Sequence, residues 1–140
     1  MSKKVVLVGH CGPDSSFLRM AVSSAERGIT VSMADDSQEL KAALDGGADL
    51  VLLNRELGWG FDTPLGVDVI KLLGRSYPAT KFMLVSNYPE AQAAAVAAGA
   101  VPGFGKREIG QPRVAQLIRD ALGVAASPAT KSPATAATAG

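Results

Sequence analysis

The amino-acid sequence predicts an α/β protein built on a doubly wound, five-stranded parallel sheet. Short, continuous apolar runs alternate along the chain with segments whose apolar residues recur at helical spacing. Glycine, proline and aspartate separate the two kinds of segment. Strands that alternate with helices in this way require right-handed crossovers, with helices on both faces of the sheet.

The first strand–helix unit begins with residues 5–8, a continuous apolar run that is typical of a strand buried on both faces. After a break at residues 12–14, a helix is predicted, and Gly28 ends it. The apolar residues of this helix fall at i, i+3, i+4 and i+7: Leu18, Ala21, Val22 and Ala25. Residues 29–31 predict the second strand.

The second helix opens at Asp36 and Glu39, which have the spacing of a capping box, and closes at residues 46–47, both glycine. Residues 50–53 predict a third buried strand, which ends at Asn54. A glycine-rich loop over residues 55–64 then precedes the third helix. The apolar residues of that helix again recur at helical spacing: Val67, Ile70 and Leu73.

Residues 82–85 predict the fourth strand, which ends at Ser86. Pro89 suits the first turn of an alanine-rich fourth helix that stops at Gly99. A short fifth strand around Phe104 ends at Lys106. The last helix is opened by Pro112 and carries one apolar face: Val114, Leu117, Ile118, Ala121 and Leu122.

Composition indicates one domain over residues 1–124, followed by a disordered tail rich in alanine, proline and threonine over residues 125–140. The chain has 14 Lys and Arg against 13 Asp and Glu, and setting aside Lys131 in the tail leaves 13 of each. This neutrality argues against nucleic acid and against a polybasic membrane anchor as partners. One cysteine excludes an internal disulfide, and we expect a cytoplasmic protein.

Ligands of such sheets bind beyond the carboxyl ends of the strands, so the residues that end the strands form the candidate site. These are Gly9, His10, Cys11, Asn54, Ser86, Asn87 and Lys106.

Five strand–helix units with a polar residue ending the third strand, Ser86 ending the fourth and Lys106 ending the fifth resemble the receiver domain of bacterial response regulators. The resemblance covers about residues 3–122 and implies a flavodoxin-like fold. In active receivers, an Asp that ends the third strand accepts a phosphoryl group from a histidine kinase. That Asp and two acidic residues after the first strand hold Mg²⁺, while a Ser or Thr and a Lys contact the phosphoryl oxygens.

This chain departs from the receiver pattern at the positions that carry the chemistry. Asn54 stands at the phosphoacceptor position, and Gly9 and His10 replace the acidic pair. Because Mg²⁺ prefers carboxylate and water oxygens, we expect no metal, no cofactor, no aspartyl phosphorylation and no enzymatic activity. Gly103 also replaces the aromatic residue that usually precedes the lysine by three positions.

Without those partners, Ser86 is expected to satisfy backbone groups and Lys106 to fill the vacated pocket. The Lys106 ammonium would donate to carbonyls or to the Asn54 amide oxygen. An alternative is that the pocket formed by His10, Asn54, Ser86 and Lys106 senses a small molecule or an anion.

Cys11 precedes a predicted helix N-terminus, whose dipole favours a thiolate, so a redox-sensing thiol or an enzyme using His10 is a further hypothesis. The competing interpretation is a half-buried cysteine, since cysteine is among the most buried residue types. Trp59 and Phe61 in the glycine-rich loop could contact a partner or cover the pocket, or could instead cover the sheet edge or each other.

The function that these features favour is a phosphorylation-independent pseudo-receiver, which binds other proteins in two-component-type signalling. In the receiver family, the face made by the fourth helix, fifth strand and fifth helix often mediates dimers or effector contacts. Here the fourth helix offers the small residues of 93–95 and 97–98, which would permit close approach or a homodimer.

Overall fold

The computed structural model describes residues 3–10, 12–57, 60–61 and 63–123. Within them the chain forms five strands and five α-helices, which alternate along the sequence. In chain order they are β1 (Lys4–Val8), α1 (Gly12–Ala25), β2 (Thr30–Ala34), α2 (Ser37–Asp45), β3 (Leu50–Asn54), α3 (Gly66–Leu73), β4 (Lys81–Val85), α4 (Pro89–Ala97), β5 (Val101–Phe104) and α5 (Pro112–Leu122).

All strand pairs are parallel, and the strand order across the sheet is β2-β1-β3-β4-β5. The predicted doubly wound α/β fold is therefore confirmed. No helix in the described part of the chain is long and apolar enough to cross a membrane. The predicted tail over residues 125–140 lies outside the described residues.

Alternate residues of the inner strands point to opposite faces of the sheet and build two apolar clusters. Val6 and Val8 belong to the cluster beneath α2, α3 and α4, whereas Val5 and Leu7 belong to the cluster beneath α1 and α5. Burial on both faces is the physical reason that these strands are continuous apolar runs in the sequence.

The predicted start of α1 and the predicted end of β2 were wrong. The helix α1 begins at Gly12, whereas the sequence suggested a break over residues 12–14. Pro13 is compatible with the first helical turn, because the backbone N–H that it lacks would have no partner within the helix there. The strand β2 extends to Ala34 because it lies at the sheet edge, where exposed residues such as Met33 are tolerated within a strand.

The predicted capping residues of α2 are confirmed. Asp36 is the N-cap, and its carboxylate Oδ1 accepts a hydrogen bond from the backbone N–H of Glu39 at 2.7 Å. Glu39 Oε1 in turn accepts from the backbone N–H of Asp35 at 2.7 Å, one residue before the N-cap. The two bonds fix the start of α2.

Candidate functional site

The turn after β1 brings the first strand end against the loop that follows β3. Gly9 has a φ of +74°, and a Cβ at this position would lie 2.7 Å from Leu57 Cδ2 and 3.0 Å from Leu57 Cα. Both the positive φ and the close approach require glycine. A carboxylate-bearing residue is therefore strained at this position as the chain now folds.

The Asn54 side chain ties these two segments together. Its Nδ2 donates to the backbone oxygen of Gly9 at 3.2 Å and to the backbone oxygen of Glu56 at 3.0 Å. An amide nitrogen carries two hydrogens, so both have backbone acceptors. Asn54 thus joins the end of β1 to the loop that follows β3.

The Lys106 ammonium is bound by a carboxylate that the sequence did not single out. Lys106 Nζ lies 2.7 Å from Asp14 Oδ2, and the two side chains are 34% and 25% exposed. The expectation that Lys106 donates to carbonyls or to the Asn54 amide oxygen was therefore wrong. The signal for Asp14 was its position in the first turn of the helix that follows the first strand end.

Lys106 also lies beyond the strand that was expected to end at it. The strand β5 ends at Phe104, and Lys106 begins a short 3₁₀ turn over Lys106–Glu108. Glu108 Oε1 accepts from the backbone N–H of Gly105 at 2.8 Å and closes that turn. The turn places Lys106 past the carboxyl end of β5, where its side chain reaches Asp14 of α1.

Ser86 and Asn87 bind backbone groups at the end of β4. Ser86 is buried, and its Oγ accepts from the backbone N–H of Tyr88 at 3.2 Å. Asn87 Oδ1 accepts from the backbone N–H of Arg107 at 3.1 Å, which joins the loops after β4 and β5.

His10 follows β1, and its two ring nitrogens have different surroundings. His10 Nε2 is 2.9 Å from the backbone oxygen of Leu52, and because a carbonyl only accepts, Nε2 carries the hydrogen. Nδ1 is buried and has no hydrogen-bond partner among the described residues. Burial lowers the pKa of His10 below its ordinary value of 6.5; the Leu52 bond opposes this effect, Lys106 adds to it, and Asp14 opposes it.

Acid is therefore expected to destabilise the fold through His10. Below about pH 6.5 the unfolded chain binds a proton that the folded His10 does not, so the free energy of unfolding falls as the pH falls until the folded His10 also titrates. His10 is the single histidine of the chain, and His10→Asn keeps a side-chain N–H while removing the titration. Urea unfolding at about pH 7.5 and about pH 5.5 should show a smaller loss of stability in His10→Asn than in the wild type, and equal losses would contradict this role.

A cleft of about 170 Å³ opens between the strand ends. Arg55 and Tyr88 both line the cleft, and the guanidinium carbon of Arg55 lies 4.8 Å from the centroid of the Tyr88 ring. Arg55 also forms an ion pair with Glu56, with an N–O distance of 3.4 Å. Within the described ranges, His, Cys, Asp and Glu form no group of three that could hold a metal ion. The cleft is lined by Asn54, Arg55, Glu56, Val85, Ser86, Asn87, Tyr88 and Lys106.

Two candidate residues, Cys11 and Trp59, lie outside the described residues. The reactive thiol at Cys11 and the partner contact through Trp59 therefore stay predictions. Phe61 is half-buried and packs against the apolar cluster beneath α2, α3 and α4. Part of its ring surface is therefore in contact with the core.

A larger groove, of about 640 Å³, lies on the face formed by α4, β5 and α5. Ala93, Val96 and Ala97 line it from α4, and Val96 is 46% exposed. The predicted alanine surface was wrong in part, because Ala95 is buried and Ala98 packs against the core. Helical periodicity turns those two residues inward.

Solved structures resemble this chain over most of its length. A putative response regulator from Chloroflexus aurantiacus is 14% identical with a TM-score of 0.71, covering 88% of this chain and 99% of that one. The non-phosphorylated receiver domain of the stress response regulator RcsB from Escherichia coli is 16% identical with a TM-score of 0.70, covering 89% and 96%. The beryllofluoride-activated NtrC4 receiver domain dimer is 17% identical with a TM-score of 0.67, covering 88% and 98%.

The chain has the receiver fold. No protein-family model matches its sequence, and no curated protein matches it significantly. At these identities the likeness concerns the fold. The receiver fold brings Asn54, Ser86 and Lys106 to one cleft, as the positions of the strand ends predicted.

Proposed function

We propose that this protein is a phosphorylation-independent pseudo-receiver, which acts as a cytoplasmic protein-interaction module in bacterial two-component-type signalling. The observation that carries the proposal is the internal pairing at the strand ends. Asn54 donates both amide hydrogens to backbone oxygens, and Lys106 is bound to Asp14. The groups that would meet a phosphoryl group in an active receiver thus already have partners within the chain.

Phosphoryl transfer to this cleft would lack both a nucleophile and a metal site. An amide is not a nucleophile toward phosphorus at neutral pH, and Mg²⁺ is normally held by several hard oxygen ligands. The carboxylates of Asp14 and Glu56 lie close to the cleft, but each already faces a cation, Lys106 and Arg55 respectively. Neither carboxylate stands at the position of the receiver phosphoacceptor.

The same pairing disfavours the sensor alternative. An anion that bound at Lys106 would have to displace Asp14 or share the ammonium with a carboxylate 2.7 Å away. Like charges in so small a cleft repel each other, so the Asp14 carboxylate would weaken the binding of an anion. We therefore favour a protein partner over a small anion.

The α4–β5–α5 face is the surface that we propose for the partner, which is another signalling protein or a second copy of this chain. Its groove is lined largely by apolar and small side chains. The cores of protein–protein interfaces are likewise depleted of charged residues. The NtrC4 receiver domain, which has the same fold, is a dimer in its beryllofluoride-activated form. The Glu108–Arg113 ion pair forms the polar rim of the groove.

Substitution of Val96 by arginine is expected to abolish partner binding, because it places a charge among the apolar residues that line the groove. Cross-linking and pull-down from native lysate, with sedimentation for the homodimer, should show at least about tenfold less bound partner in Val96→Arg. The matched control is Leu72→Arg on α3, where the parent side chain is 59% exposed on another face.

Both assays are run with and without Mg²⁺ and BeF₃⁻, a phosphoryl mimic. Equal binding in the two conditions supports phosphorylation independence. Binding that requires BeF₃⁻, or that is lost in Leu72→Arg and kept in Val96→Arg, would contradict the proposal.

A further inference from the structure

The strands β4 and β5 pair irregularly at the centre of the proposed partner face. Met83 pairs with Val101 and Val85 with Phe104, so two steps along β4 match three along β5. Pro102 lies within this stretch and has no backbone N–H to donate to β4. The sheet therefore needs donors from elsewhere at this point.

Gln92 of α4 donates to backbone oxygens on both sides of this irregular pairing. Its Nε2 lies 2.9 Å from the backbone oxygen of Leu84, 3.1 Å from that of Ser86 and 3.2 Å from that of Phe104. With two hydrogens for three acceptors, at least one hydrogen is shared between two oxygens. One side chain thus joins α4 to β4 and to β5 at the same time.

Gly103 provides the space that Gln92 occupies. A Cβ on Gly103 would lie 2.9 Å from Gln92 Oε1 and would overlap the backbone oxygen of Leu84. On the other side, Arg113 Nη2 of α5 lies 3.4 Å from the backbone oxygen of Gly103. The strand β5 is therefore bonded by side chains from both helices of the face.

We infer that Gln92 holds α4 on the β4–β5 edge in a single arrangement, and that this arrangement presents the α4–β5–α5 face to a partner. The hydrogen bonds run between side chain and backbone, and they include the oxygen of Ser86, whose side chain lines the cleft between the strand ends. The part of this inference that concerns a partner rests on the proposed function. The part that concerns the conformation of the face does not.

Amide hydrogen exchange of the full chain tests the conformational part. Gln92→Met keeps the length of the side chain and removes the donors, and Gln38→Met on exposed α2 is the matched control. The Ser86 N–H donates to the Phe104 oxygen at 2.9 Å, so it reports on the β4–β5 edge. We expect Ser86 and the β5 amides to exchange about tenfold faster in Gln92→Met, with the β1 and β3 amides unchanged.

If exchange became faster by the same factor in all strands of Gln92→Met, Gln92 would contribute only to global stability, and the inference would be overturned. Exchange rates that stay unchanged would overturn it as well. Partner capture by the same variants separates this inference from the proposed function. Loss of capture together with local loosening supports both. Failure of the wild type to capture any partner or to dimerise overturns the proposed function, whereas the exchange result still decides the role of Gln92.

Discussion

Replacing Gly103 by alanine is expected to lower the free energy of unfolding by about 3 kcal/mol. The added Cβ would overlap the backbone oxygen of Leu84 and lie 3.1 Å from Met83 Cγ. Met83 is fully buried, and a backbone oxygen in the middle of a sheet cannot move away independently. Relief would therefore require β5 to move away from β4. Urea unfolding followed by circular dichroism measures the change.

Gly12→Ala is the control for this substitution. Gly12 is the first residue of α1, and a Cβ there would meet nothing within 4 Å. The free energy of unfolding should change by less than about 1 kcal/mol in either direction, because alanine restricts the unfolded chain whereas Pro13 disfavours a helical backbone for a non-glycine residue before it. If Gly103→Ala were as stable as Gly12→Ala, the close packing of β5 against β4 and Gln92 would be refuted.

Gly103 also explains a departure from the receiver pattern that the sequence alone left without a reason. The resemblance places an aromatic residue at this position, and the structure places the Gln92 amide against it. An aromatic ring and the three hydrogen bonds of Gln92 cannot share that space. Glycine at position 103 and glutamine at position 92 are thus two parts of one arrangement.

The fold was predictable where a strand is buried on both faces or a helix carries caps. The run Leu50–Asn54 and the Asp36–Glu39 cap are local signals that need no knowledge of neighbours. The edge strand β2 was predicted too short, because its burial changes irregularly along Thr30–Ala34. Edge strands lack the second buried neighbour that produces a continuous apolar run.

The composition of the cleft was predictable in part, for a similar reason. Asn54, Ser86 and Lys106 lie at or just after the ends of strands in a parallel sheet. The carboxyl ends of parallel strands lie on the same side of the sheet, and this holds for any side chains at those positions. Asp14 and Gln92 lie on helices, and their partners are determined by how far each side chain reaches across to another element. The position of Asp14 in the first turn of α1 made it a candidate, but spacing along the sequence does not determine how far a side chain reaches, so neither contact was foreseen.

Asn54→Asp places a carboxylate where the receiver resemblance predicts the phosphoacceptor, and it is expected to destabilise the protein by about 3 kcal/mol at neutral pH without producing phosphorylation. The new carboxylate has no hydrogens, so the oxygens of Gly9 and Glu56 would lose a donor and face a negative charge. Lys106 is already paired with Asp14 and offers limited compensation. Asn54→Ala removes the same donors without the charge, so the difference between the two variants measures the repulsion.

The pH dependence of Asn54→Asp has a defined sign. Two facing carbonyl oxygens disfavour the charged form, so the pKa of the new carboxyl is higher in the folded state than the roughly 3.9 of an unfolded chain. The folded state then binds more protons in that window, and the free energy of unfolding falls as the pH rises through it. Relative to the wild type, the variant should be least destabilised at the acid end of the window.

Asn87→Asp is the matched control, because Asn87 is exposed and its Oδ1 already acts as an acceptor, from the Arg107 N–H. A carboxylate keeps that bond, so the free energy of unfolding should change by less than about 0.5 kcal/mol.

Incubation of Asn54→Asp with acetyl phosphate and Mg²⁺, followed by measurement of the intact mass, tests whether the new carboxylate is phosphorylated. Since Gly9 and His10 offer no carboxylate after β1, Asn54→Asp should gain no phosphoryl group. Stoichiometric phosphorylation would show that a single amide separates this cleft from an active one and would refute the assignment of the defect to the missing metal ligands.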